Sequence, residues 1–156
     1  MTRTVAAPTR STLADGREIL FFALAAPPRI HEDRRDLPAR APGSPTELRF
    51  DTQLGDWVMM APTRQERTYK PPRTMCPLCP DADGLSSEIP ANGYDVAVFD
   101  NLFPSLRADA HDPPSLLVPT RAATGACEVV VYSQDPQARL AALPLPHLDL
   151  LLQVWG

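Results

Sequence analysis

Cys76 and Cys79 stand three residues apart on a turn braced by Pro77 and Pro80. Two thiols at that spacing can converge on one ion, and zinc takes thiolate sulfur at about 2.3 Å. Dithiol redox chemistry uses the same spacing, but a redox C-x-x-C follows a strand and opens a helix, whereas Pro77, Pro80, Asp81, Asp83 and Gly84 put loop on both sides. Metal is the favoured reading. Arg64 and Arg67, also three apart, face the same way on one turn of helix, and a forked guanidinium suits phosphate. By residue type alone they read first as a water-screened surface pair, with phosphate as the alternative. Asn101 carries both donor and acceptor, enough to read a base edge or a ribose hydroxyl, or simply to cap a turn. Phe103 offers a flat face to stack on a base or to pack in a core.

These residues need elements to hold them. Leu48-Arg49-Phe50 and Trp57-Val58-Met59-Met60 read as two strands joined around Gly55, and Ala61-Pro62 ends the second because proline cannot donate to a ladder. Val96-Ala97-Val98-Phe99 reads as a strand ending at Asp100-Asn101, and Ala126-Cys127-Glu128-Val129-Val130-Val131-Tyr132 as another, in which Cys127 alternates with Val129 and Val131 as a small buried hydrophobe. Ahead of them, Asp15-Gly16 between apolar runs signals a hairpin. Residues 27–45 alternate Pro, Arg, Asp and Ala, which reads as a linker or surface wrap, with Arg29, Arg34 and Arg35 on a solvated mixed-charge face. Pro144-Leu145-Pro146 launches a helix in which Leu148, Leu151, Leu152 and Trp155 form one apolar stripe.

The 156 residues are one domain's worth of chain, and 19 prolines imply long connections around a modest sheet. A net charge of −4 without a basic patch argues against nucleic acid. No apolar run reaches the roughly 20 residues that span a bilayer, and no secretion signal opens the chain, so a cytoplasmic protein is expected. With three cysteines, two of them in C-x-x-C, a disulfide framework is not expected.

Three blocks in order, W-V-x-x-x-P-x-R-x-x-R from Trp57, C-x-x-C-P from Cys76 and V-F-x-N-x-F-P-x-L from Val98, resemble the N-terminal half of the galactose-1-phosphate uridylyltransferases of the histidine-triad superfamily. The resemblance runs from Leu48 to the C-terminus. It implies an α+β fold, a mainly antiparallel sheet with a flanking helix, forming a histidine-triad-like half-domain. Residues 1–46 would then be an N-terminal extension with a hairpin and Pro-rich linker, and 47–156 a truncated N-terminal uridylyltransferase domain.

The resemblance also assigns roles. Arg64 and Arg67 would hold nucleotide phosphates, partly across a dimer interface; Leu85 would lie against the uracil; Asn101 and Phe103 would contact base and ribose. Cys76 and Cys79 would bind zinc. A third ligand, a histidine after Ser-x-Asp, is replaced here by Pro136 in Ser133-Gln134-Asp135-Pro136, leaving Asp135 or His111 as substitutes; His31 and His147 read as surface histidines. Aspartate often follows the asparagine in the family, but Leu102 stands there. Catalysis in the family passes through a covalent nucleotidyl-histidine in a His-x-His motif, and no two of His31, His111 and His147 stand near each other. The implied partners are UDP-glucose, galactose 1-phosphate and either a second copy or a complementing C-terminal half that brings the nucleophile. Rival readings are a related nucleotidyltransferase or phosphorylase, a non-enzymatic zinc-stabilised binding module, and a remnant that does not fold.

Overall fold

A computed structural model describes residues 7–37, 46–62, 72, 76–81 and 83–156. They belong to two compact units, one drawn from Met1–Pro38, Pro71–Phe99 and Val129–Gly156, the other from Ala39–Lys70 and Asp100–Glu128. Among the described residues, mostly antiparallel sheet with one α-helix makes the fold α+β. Arg64 and Arg67 lie outside the described residues.

The first unit is organised by β7 (Val96–Asp100), central in a sheet of order β1-β2-β7-β9, with β1 Thr9–Thr12, β2 Glu18–Phe22 and β9 Glu128–Val131. An unbroken apolar run needs cover on both faces, and Val96, Ala97, Val98 and Phe99 are all buried. Register sorts the neighbours: Ile19 pairs with Phe99 and Phe21 with Ala97 on one face, Leu20 with Val98 and Phe22 with Val96 on the other. The first face packs on Leu13, Ile89, Ala91 and Tyr94, whose ring lies 5.5 Å from Phe21. The second packs on Leu150 and Leu151 of α1, Leu145–Trp155. The Asp15-Gly16 hairpin joins β1 to β2, with Gly16 at φ 85°.

Two expectations are corrected here. Residues 29–37 keep Arg29 and Arg34 exposed as expected but are no free linker: β3 (Arg29–Ile30) pairs with β6 (Ala91–Asn92), and the Arg35 side chain, 10 % exposed, bonds Asp33 at 2.7 Å. The apolar stripe of α1 is rotated by one position, so that Leu150 and Leu151 are buried while Leu152 and Trp155 are 65 % and 58 % exposed. Leucines at nearly every turn position give the helix two apolar faces, and only the sheet decides between them. Leu152→Ser is therefore expected to change unfolding free energy by no more than about 0.5 kcal/mol in urea titration. A larger loss would return Leu152 to the core.

The second unit carries the sheet β5-β4-β8, with β4 Glu47–Asp51, β5 Asp56–Met60 and β8 Thr120–Ala122. Strand β5 ends ahead of Ala61-Pro62, and the turn passes through Gly55 as its sequence implies. Phe50 and Trp57 are cross-strand partners meeting edge-on, with the Arg121 guanidinium 4.2 Å from the indole centroid. Cys127, just ahead of β9, is a free thiol that is half-buried rather than buried.

Candidate functional site

In the first unit the knuckle belongs to a loop whose described residues, 76–81 and 83–90, are cross-braced. Pro77 O accepts from the Glu88 amide at 2.8 Å and the Ser87 hydroxyl at 3.0 Å, and Ile89 O accepts from the Asp81 amide at 3.0 Å. Ile89 is fully buried, so the returning leg is nailed into the core. At the apex the Asp81 carboxylate accepts from the amides of Asp83 (2.9 Å), Leu85 (3.0 Å), Ser86 (2.7 Å) and Ser87 (3.2 Å), and from the Ser86 hydroxyl (3.0 Å). Burial raises its pKa, but these donors outweigh it and hold the group well below the ordinary carboxylate range. A fixed turn results, with Leu85 62 % exposed at its tip. The loop thus presents Cys76, Cys79 and Leu85 from one rigid frame.

Cys76 and Cys79 are joined as a disulfide, with Cα atoms 5.4 Å apart. That separation is ordinary for a disulfide, and ligation of one ion by the same turn requires the reduced dithiolate. A cavity of about 280 Å³ opens beside the two cysteines, with Leu78, Tyr132, Asp135 and Pro136 also in its wall. The segment after β9 is thus brought to the knuckle, yet Pro136 brings no donor to it. Asp135 does carry one, although its Oδ1 already accepts from the Gln137 amide at 2.8 Å. Among the described residues no three ligating side chains converge on one point. Reduced, the two sulfurs would offer two of the four donors that a closed zinc site takes.

Asn101 and Phe103 share a turn of the second unit. The Asn101 amide donates to Cys127 O at 2.8 Å, and its Oδ1 accepts from the Phe103 amide at 2.9 Å. The side chain is a turn cap, which leaves its NH₂ without a hydrogen-bond partner among the described residues. Phe103 is 48 % exposed and is no core residue. His111 is an exposed member of the same unit, its Nδ1 3.2 Å from Asp109 O.

Residue patterns missed two histidines. His147 on α1 is 12 % exposed, its Nδ1 3.9 Å from Asp95 Oδ1, and the Nε2 atoms of His147 and His31 are buried without a partner among the described residues. Both are half-buried rather than surface groups. The signal was present for His147, which shares the face of Leu150 and Leu151 by helical spacing.

Residues 41–156 match the family model for the N-terminal domain of galactose-1-phosphate uridyl transferase. The chain belongs to that family. It is 38 % identical over 148 residues to the galactose-1-phosphate uridylyltransferase of Streptomyces lividans, covering 94 % of this chain and 37 % of the relative. The Thermotoga maritima protein of the same name is 34 % identical over 115 residues, 70 % of this chain and 34 % of its own length. The rat protein of that name is 28 % identical over 124 residues, 70 % and 33 %. The chain spans about a third of the length of these relatives. No solved structure matches it. Among the described residues no helix is long and apolar enough to cross a membrane. In this member of the uridyl transferase family the knuckle loop and the Asn101 turn are each built by local hydrogen bonds of their own unit.

Proposed function

We propose that the chain is the nucleotide-gripping N-terminal part of a cytoplasmic UDP-glucose:hexose-1-phosphate uridylyltransferase built as a histidine-triad-like half-domain. The match of residues 41–156 to the family's N-terminal domain carries this reading. In the reaction, a histidine nitrogen attacks the α-phosphorus of UDP-glucose and glucose 1-phosphate leaves; the phosphate oxygen of galactose 1-phosphate then attacks the uridylyl-histidine, giving UDP-galactose and freeing the histidine. His31, His111 and His147 have no His-x-His setting, so in this reading the nucleophile lies outside these 156 residues. A second copy would share the phosphate contacts of Arg64 and Arg67. Leu85 would pack on the uracil, and the free NH₂ of Asn101 with the ring of Phe103 would meet base and ribose.

Cys76 and Cys79, once reduced, would hold zinc with ligands completed elsewhere, and the ion would lock the turn that carries them. The purified, reduced chain should bind UDP-glucose, contain close to one zinc ion per chain, and show no exchange between UDP-glucose and galactose 1-phosphate by itself. Failure to bind UDP-glucose removes the reading, whereas exchange by the chain alone would place the nucleophile within it. Cys76→Ser is expected to lower zinc content and Tm together, as zinc analysis and calorimetry would report. Unchanged values for both would remove the metal.

A further inference from the structure

The family match begins at residue 41, yet the first unit is tied together by charges from the segment ahead of it. The Arg17 side chain is 1 % exposed and reaches Asp15, also 1 % exposed, at 2.6 Å and Glu88 at 2.8 Å, with its guanidinium carbon 5.8 Å from the Phe99 ring centroid. We propose that Arg17 is a positioning residue for the knuckle loop: it holds Glu88, on the loop's returning leg, and through it the frame that carries Cys76, Cys79 and Leu85. The functional importance of that frame rests on the uridylyltransferase reading.

Glu88 is a lever with short arms. Its amide bonds Pro77 O at 2.8 Å, beside Cys76, and its neighbours Ser87 and Ile89 are the buried anchors of the loop. A pull on its carboxylate therefore acts on both legs at once. The same N-terminal segment grips the loop at other points: the Arg34 amide donates to Gly84 O at 2.8 Å, and the His31 amide to Pro90 O at 2.8 Å. Asp33 links this grip back to the hairpin, accepting from the Ala14 amide at 2.8 Å while paired with Arg35. The hydrogen bond to Asp33 raises the Arg35 pKa against burial, with Glu88 and Asp15 adding attraction. Hairpin turn, 31–37 segment and knuckle loop thus meet in one cluster of alternating charge.

Such a cluster is a poor source of net stability, because desolvation of buried ions offsets most of their attraction. What it supplies is geometry, since a buried guanidinium hydrogen-bonded to Asp15 and ion-paired with Glu88 permits few arrangements. A general stabiliser would loosen the whole unit when removed; a positioning group loosens the loop.

Two variants of the full chain separate these: Glu88→Gln, which keeps shape and removes charge, and Arg17→Lys, which keeps charge and removes the fork. Amide hydrogen exchange read residue by residue should accelerate by at least roughly tenfold at Leu85, Ser86 and Ser87, with Val98 and Leu151 unchanged. UDP-glucose affinity, by calorimetry, should fall with the loop. Loop amides that keep their rates, or acceleration spread equally over Val98 and Leu151, would overturn the proposal. Wild-type chain that does not bind UDP-glucose would remove the functional reading and leave the exchange result to decide the role of Arg17. If one variant does not fold, the other decides alone.

Discussion

Gly84→Ala is expected to lower stability by about 2 to 5 kcal/mol, the sum of a left-handed backbone penalty and forced overpacking. Gly84 sits at φ 67°, where an L side chain is strained, and a Cβ built there would fall 2.1 Å from Glu32 O. The obstructing atom is backbone, so no rotamer change relieves it. Relief requires that the 31–37 segment and the knuckle loop separate, which breaks the Arg34 amide to Gly84 O bond. For a chain of this length the corresponding fall in Tm is roughly 5 to 15 °C. Gly16→Ala is the matched control: its φ is 85°, but nothing lies within 4 Å of the added carbon. It should cost about 1 kcal/mol, the strain alone. Equal melting points for the two variants would show that the loop and the N-terminal segment do not touch as described.

The same contact explains what the sequence could and could not reveal. Local signals were strong where one residue type dictates one geometry. Asp15-Gly16 gives the β1–β2 hairpin, Pro62 follows the end of β5, and the Val96 to Phe99 run gives a strand covered on both faces. The 31–37 segment has no such signal, because its structure comes from backbone bonds to residues far along the chain, such as the Arg34 amide to Gly84 O and the His31 amide to Pro90 O. Alternating Arg and Asp looks like a solvated face until Asp15 and Glu88 are brought beside it by the hairpin and the loop. The face of α1 was illegible for a different reason: with Leu148, Leu150, Leu151 and Leu152 all present, periodicity permits two stripes and the sheet selects one. Of the site residues, spacing placed Cys76 and Cys79 on a turn, and the structure adds Leu85 to the same frame. Asp81 escaped notice because a carboxylate that collects amides leaves no periodic trace, although Asp before Gly and Ser is the chemistry of such turns.

Asp81→Ala is expected to destabilise the chain by about 2 to 3 kcal/mol at pH 7, less than the sum of its charge-assisted bonds because water can reach the freed amides. The sign of the accompanying pH effect follows from the direction of the shift. The folded pKa is depressed below the unfolded value of about 3.9, so the contribution is fully present above that value and is lost progressively as pH falls below it toward and through the folded pKa. Wild-type stability should thus be flat with respect to this group from pH 7 to about 5 and should decline below about pH 4.5. The alanine variant lacks that part of the decline, so the difference between the two proteins narrows on acidification. Some acid loss persists in the variant, since the Asp33 carboxyl is also lowered: burial raises it, and the hydrogen bond from Arg35 with the Ala14 amide brings it down. Urea midpoints from pH 7 to pH 3 measure both slopes. A constant gap across that range would mean that the alanine acts through lost packing and that the carboxylate does not organise the loop, in which case the rigid presentation of Leu85, and with it the proposed uracil contact, would lose its physical basis.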